Sequence, residues 1–311
     1  MGFETPEDIL NEYNNGLQGA TYDPVDMAKL LRELPEPFFG AVGNNLFGTG
    51  KGMLSLPFKA IQHFFPKFGE DETQTTGDCV SHATRNAVDV TRAYEILYKK
   101  EKELFLYRGA TEPIYGSRGH SGQGMQCSQA ARFVSINGGF LVRQKYTDIN
   151  LDLSQYNAKI GINWGSRGIP TNVIEKCKEH PIGLVTTLNS IEQARDLLAN
   201  GYGFSVCSNY GFSNKRDKYG ISESDGTWSH AMAWIGCDDT HELLDETLFL
   251  VQNSWGLWNS GPRVHDQPEG SFWIRQRDAE GMIGSGGAFA FSNFKGFQRK
   301  MDWTKIREVF G

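Results

Sequence analysis

From Cys79 to Lys99 the apolar side chains Ala83, Ala87, Val90, Tyr94 and Leu97 recur three and four apart. This spacing gives a helix one buried stripe. Gly77 and Asp78 stand just before it as loop and N-cap. Weaker patterns predict helices over 128–137, stopped by Gly138-Gly139, and over 190–200, stopped by Gly201. A short helix over 23–34 has Asp23 as N-cap and Pro24 as first helical residue. Later the period shortens. Residues 204–208, 230–236, 247–253 and 270–277 are short, apolar or β-branched runs bounded by Gly, Asp and Asn, and they read as strands. Helices first and strands later predict an α+β protein of two lobes.

Residues 35–69 fit neither period. Phe, Gly and Pro mix there with few acids, predicting an extended arm with a short helix over 57–65. So much aromatic surface must be covered. A contact in a larger assembly, packing on the chain's own body, and lying across a cleft as a built-in blocker all satisfy that need. The expected organisation is a leader and arm over 1–69, a central domain over 70–294 and an amphipathic tail over 295–311.

Composition narrows the function. The 311 residues carry 31 Lys+Arg against 37 Asp+Glu, a formal charge of −6, with no dense basic run. That disfavours nucleic acid as a partner. No run is apolar enough to span a membrane, and the acidic first residues are unlike a secretory signal. Pro6 stands where a myristoylation signal wants Ser or Thr. Five cysteines at irregular spacing fit free thiols in a reduced compartment, cytoplasmic or within a virion. With no CxxC pair, no metal or other cofactor is expected.

The chemistry lies in three separated motifs. Cys79 opens the long helix, where the dipole favours thiolate and free N–H groups can receive an oxyanion. His230 opens the apolar run Ser229-His230-Ala231-Met232-Ala233-Trp234, and Asn253 ends another in Gln252-Asn253-Ser254-Trp255-Gly256. Taken singly, each is an ordinary core residue. In this order, 151 and 174 residues after Cys79, they form a nucleophile, a base and the group that orients the base.

Together with Gly270-Ser271-Phe272-Trp273-Ile274-Arg275, these motifs resemble the papain family of cysteine peptidases over about Gln74 to Arg277. The resemblance implies a papain-like two-lobed α+β fold. One lobe would be helical and carry the nucleophile helix; the other would be an antiparallel sheet or barrel. It implies attack by Cys79 on a polypeptide substrate, proton transfer through His230, and orientation of that ring by Asn253. Gln74 would join the Cys79 N–H in the oxyanion hole. Gly122, Gly124 and Trp255 would form the substrate side of the site, with Trp255 also shielding the His–Asn hydrogen bond.

This chain departs from the family pattern. Gln74 lies five residues before Cys79, one fewer than usual. Asp78 replaces a small polar residue, and its charge opposes thiolate formation if it faces the sulfur. Val80 replaces a tryptophan, and His82 is expected inside the helix packing. The disulfide that secreted members carry near the nucleophile is left open, with Cys127 as a candidate partner. No inhibitory pro-helix is predicted. These variants resemble bacterial or phage-encoded members. Two other functions stay open: a structural or assembly protein, such as a phage virion component, with an idle or single-use site, and an acyltransferase or deamidase on the same Cys–His chemistry.

Overall fold

A computed structural model describes residues 19–99, 107–136, 139–180, 182–292 and 297. The leader up to residue 18 and nearly all of the tail lie outside it.

The chain begins with β1 (Ala20–Thr21), α1 (Pro24–Glu33), α2 (Phe39–Val42), β2 (Leu54–Ser55) and α3 (Phe58–Phe64). The long helix α4 (Cys79–Tyr98) follows, then α5 (Thr111–Gly116), β3 (Met125–Gln126) and α6 (Cys127–Ile136). After the small β4 (Lys145–Tyr146) and β5 (Leu151–Asp152) come α7 (Ala158–Arg167) and α8 (Thr171–Cys177). The sheet half holds β6 (Leu184–Thr187), α9 (Ile191–Ala199), β7 (Phe204–Phe212), β8 (Ser224–Asp238), β9 (Leu248–Gln252), β10 (Ser271–Arg275), α10 (Gln276–Gly284) and β11 (Gly287–Ser292).

The caps explain several boundaries. Asp23 accepts from the Val25 N–H ahead of Pro24, and Ser190 accepts from the Gln193 N–H at the start of α9. The large sheet is antiparallel, ordered β10-β9-β8-β7-β11-β6, with β2 pairing β8. It is open, so the barrel expected as one form of this lobe is not formed. Along β8 the side chains alternate. Ala231, Ala233 and Ile235 face a core shared with α4, while Trp228, Met232 and Trp234 face a second core shared with α9 and α10. Period-two alternation thus puts one face of β8 against the helical lobe.

The aromatic arm is part of this body. Phe39, Leu46, Phe58, Ile61 and Phe68 are buried, and only Phe38, Phe47, Met53 and Leu54 are notably exposed. Asp196 accepts hydrogen bonds from the Gly48 and Gly50 N–H groups at 2.8 and 2.9 Å. Thr187 N–H donates to the Pro37 carbonyl at 2.9 Å. Phe297 packs on Phe39 and Tyr202 at ring separations of 5.2 and 4.9 Å. Truncating a core phenylalanine removes apolar transfer energy and leaves a cavity. Phe58→Ala should therefore cost about 3–5 kcal/mol in chemical denaturation of the isolated chain. If Phe58 served only a docking partner, the denaturation midpoint would not move.

The cysteines differ from the expected set of free thiols. Cys127 and Cys207 form a disulfide, leaving Cys79, Cys177 and Cys237 free and buried. The pairing joins the start of α6 to the middle of β7, elements that only the tertiary fold brings together.

Candidate active site

Cys79 is the first residue of α4 and is fully buried. The loop before it is pinned from two sides. Gln74 accepts from the Ser254 hydroxyl through Oε1 and donates to the Thr76 carbonyl at 2.8 Å through Nε2. One of the two amide hydrogens of Gln74 is therefore committed within its own loop. The Thr76 hydroxyl and the Gly77 N–H both donate to Gln123 Oε1 at 2.7 Å. In the sequence Ser254 lies in the 252–256 run and Gln123 lies between Gly122 and Gly124, but only the fold shows that they hold this loop.

The Asp78 carboxylate does not cap α4. Its Oδ2 accepts from the Tyr156 hydroxyl at 2.8 Å and lies 3.4 Å from His82 Nε2. Its Oδ1 has no hydrogen-bond partner among the described residues. His82 sits inside the helix packing as expected, edge-on to Tyr156 at 5.1 Å. Behind it Glu72 takes two 2.8 Å contacts from Arg143. Burial alone would raise the Glu72 carboxyl, but Arg85, Arg143 and His82 together hold it at about 2.

Opposite Cys79 stands β8. His230 Nε2 and Asn253 Oδ1 are 2.8 Å apart, and Asn253 Oδ1 also accepts from the Ser254 N–H at 2.7 Å. An amide oxygen can only accept, so Nε2 carries the proton. Trp255 is fully buried, with its ring 4.5 Å from the imidazole and Trp228 and Trp258 packed behind it. It covers the His230–Asn253 pair inside the core. It offers no surface to a substrate, which corrects its placement on the substrate side.

The two glycines expected to approach a substrate differ. Gly122 is exposed, and a Cβ there would meet only the His120 ring. Gly124 is buried at φ +80°, and a Cβ there would lie 2.8 Å from the Gly19 carbonyl oxygen. The chain that comes close to Gly124 is thus the protein's own. Gly19 donates its N–H to the Ser229 carbonyl at 3.2 Å and accepts from the Met125 N–H at 2.7 Å. Beyond it β1 pairs in parallel with β3, Ala20 against Met125 and Thr21 against Gln126. A Cβ on Gly19 would stand 2.2 Å from the Gly77 oxygen and 3.0 Å from Cys79 Sγ. Only glycine fits there. The N-terminal strand fills the crevice between the start of α4, β3 and β8.

This packing sets the protons. Burial pushes the Cys79 thiol up to about 12, and the Asp78 charge adds to it. The Ala231, Gly19 and Val80 N–H groups pull it partly back. Burial pushes His230 down to about 4, and nearby His82 acts the same way, while the hydrogen bond to Asn253 opposes both. With the thiol near 12 and the imidazole near 4, the pair stays neutral at ordinary pH while the crevice is filled.

Among the described residues no His, Cys, Asp and Glu cluster could hold a metal ion, and no helix is long and apolar enough to cross a membrane. No protein-family model matches the chain, and no curated protein matches it. Among solved structures it is similar to xylellain, a cysteine protease from Xylella fastidiosa. That match has 12% identity over 88% of this chain and 91% of that one, with a TM-score of 0.48. It is also similar to proCathepsin B S9 from Trypanosoma congolense, at 15% identity over 92% and 95% of the two chains and a TM-score of 0.47.

Proposed function

We propose that the chain is a papain-like cysteine peptidase, held here in a closed form. The observation that carries this reading is the His230–Asn253 hydrogen bond, sealed under Trp255 on the strand that faces the first residue of α4. In the open form the Cys79 proton passes to His230 and the thiolate attacks a peptide carbonyl. The free N–H groups at the α4 start receive the oxyanion, aided by the uncommitted hydrogen of Gln74. Protonated His230 then gives its proton to the leaving amine. Water, deprotonated by the same ring, releases the acyl group from Cys79.

A second reading is a papain-like structural or assembly protein, such as a virion component, whose site is idle. The filled crevice and the full burial of Cys79 favour it. One experiment separates the two. The chain is incubated with an epoxide or vinyl-sulfone thiol trap, the modified residue is mapped by mass, and hydrolysis of an unfolded polypeptide is followed in parallel. The peptidase reading expects the label on Cys79 and cleavage that the trap abolishes. Label confined to Cys177 or Cys237, or no cleavage under any condition, would sink it.

A further inference from the structure

Cys127 directly follows β3, the strand that pairs with β1. Cys207 lies in β7, in register with Ala231 of β8 on one side and Gly287 of β11 on the other. The disulfide between them therefore ties the two walls of the crevice together. Its position relative to the N-terminal strand is defined at both ends. Thr21 is in register with Gln126, the neighbour of Cys127. A Cβ on Gly286, the neighbour of Gly287, would meet the Tyr22 hydroxyl at 3.5 Å. Residues 21–22 thus reach from one wall to the other at the bridge. The bridge closes a separation of 80 residues, and both cysteines keep a small exposed edge, 5% for Cys127 and 8% for Cys207.

We propose that the Cys127–Cys207 disulfide is a redox latch that keeps the N-terminal strand seated over Cys79. The inference concerns control of the proposed site and rests on Cys79 being its reactive group. A cross-link removes conformations in which its two ends separate. Here those conformations are the ones in which β3 moves away from β7 and β11, widening the gap through which residues 19–22 must leave. Opening needs a dithiol reductant. Its thiolate attacks one sulfur of the bridge and expels the other as thiolate, and its second thiol resolves the mixed disulfide. Two electrons pass to the bridge, Cys127 and Cys207 take up the two protons, and the reductant leaves as its own disulfide. The strand itself need not be cut. The Gly19 carbonyl is held by the Met125 N–H of β3, so the strand is seated without using the donors at the start of α4.

The test reads access to Cys79, which does not require turnover. The full chain is treated with iodoacetamide without reductant, and carboxamidomethylation of Cys79 is timed by mass mapping. The Cys127→Ala/Cys207→Ala variant is treated in the same way. The variant should label Cys79 at least about tenfold faster than the oxidised parent. Parent reduced with a dithiol and desalted should match the variant, and should slow again on reoxidation. Equal rates in the oxidised parent and the folded variant would overturn the latch. If the variant fails to melt cooperatively, the reversible change in the parent decides, and its absence overturns the proposal equally. Faster labelling of Cys79 without any peptide hydrolysis would support the latch and count against the peptidase reading.

Discussion

Cys79→Ala should abolish both the covalent label and peptide-bond hydrolysis, while the protein unfolds within about 1–2 kcal/mol of the parent. The change removes one buried sulfur at the start of α4 and touches no hydrogen bond that holds the 74–78 loop. That loop is fixed by Ser254 and Gln123. Loss of activity with an intact melting transition therefore assigns the chemistry to the sulfur. Asn253→Ala should slow the reaction without ending it, because the role proposed for Asn253 is to orient His230 through their hydrogen bond, not to bond with substrate. Full activity in Cys79→Ala, or a label that moves to Cys177 or Cys237, would refute the assignment.

Gly19→Val should unmask Cys79. The first added carbon would stand 2.2 Å from the Gly77 oxygen and 3.0 Å from Cys79 Sγ. Gly77 cannot easily yield, because its N–H is bound to Gln123 Oε1 at 2.7 Å. Overpacking of this kind costs about 1–3 kcal/mol, so the open form should gain roughly tenfold to a hundredfold in population. The pH dependence should move with it. Burial is the first cause of both shifts, raising the thiol to about 12 and lowering the imidazole to about 4. Water entering the crevice removes that cause, so the thiol falls and the imidazole rises toward their ordinary values. Alkylation of Cys79 needs the thiolate and should therefore begin at lower pH in Gly19→Val than in the parent. The check is the rate of Cys79 carboxamidomethylation against pH. A folded Gly19→Val that labels no faster than the parent would show that the strand does not control access.

Features with a local signal were legible in the sequence. The stripe from Ala83 to Leu97 marked α4, and Asp23, Pro24 and Ser190 marked helix starts that the structure keeps. Helix α7 has a weak local signal because Gly161 and Gly165 lower its helix propensity. Its glycines have tertiary causes, since a Cβ at Gly161 would press on Tyr115 at 3.1 Å and one at Gly165 on Arg118 at 2.1 Å. Strand β11, Gly-Ala-Phe-Ala-Phe-Ser, shows too little contrast between its faces to be read, since all six residues are buried. At the candidate site, the motifs around Cys79, His230 and Asn253 stood out because each interrupts or opens a regular element. The two-residue strand β1 carries no periodic pattern, and its partner β3 lies more than a hundred residues away. The Cys127–Cys207 pairing was hidden for the same reason.

The seat of the N-terminal strand bears on the order of events during synthesis. Gly19 is made some two hundred residues before Ser229, whose carbonyl its N–H binds. At about 5–20 residues per second this is a wait of roughly ten to forty seconds. Cys79 is made sixty residues into that interval, and until the interval ends it cannot be covered in the final way. The proton acceptor proposed for it, His230, is the next residue to be added after the seat. If the proposed site is reactive, a nascent chain acquires its base and the docking point of its cover within a single peptide bond, so no stage of elongation would hold that site complete without the place where its cover docks.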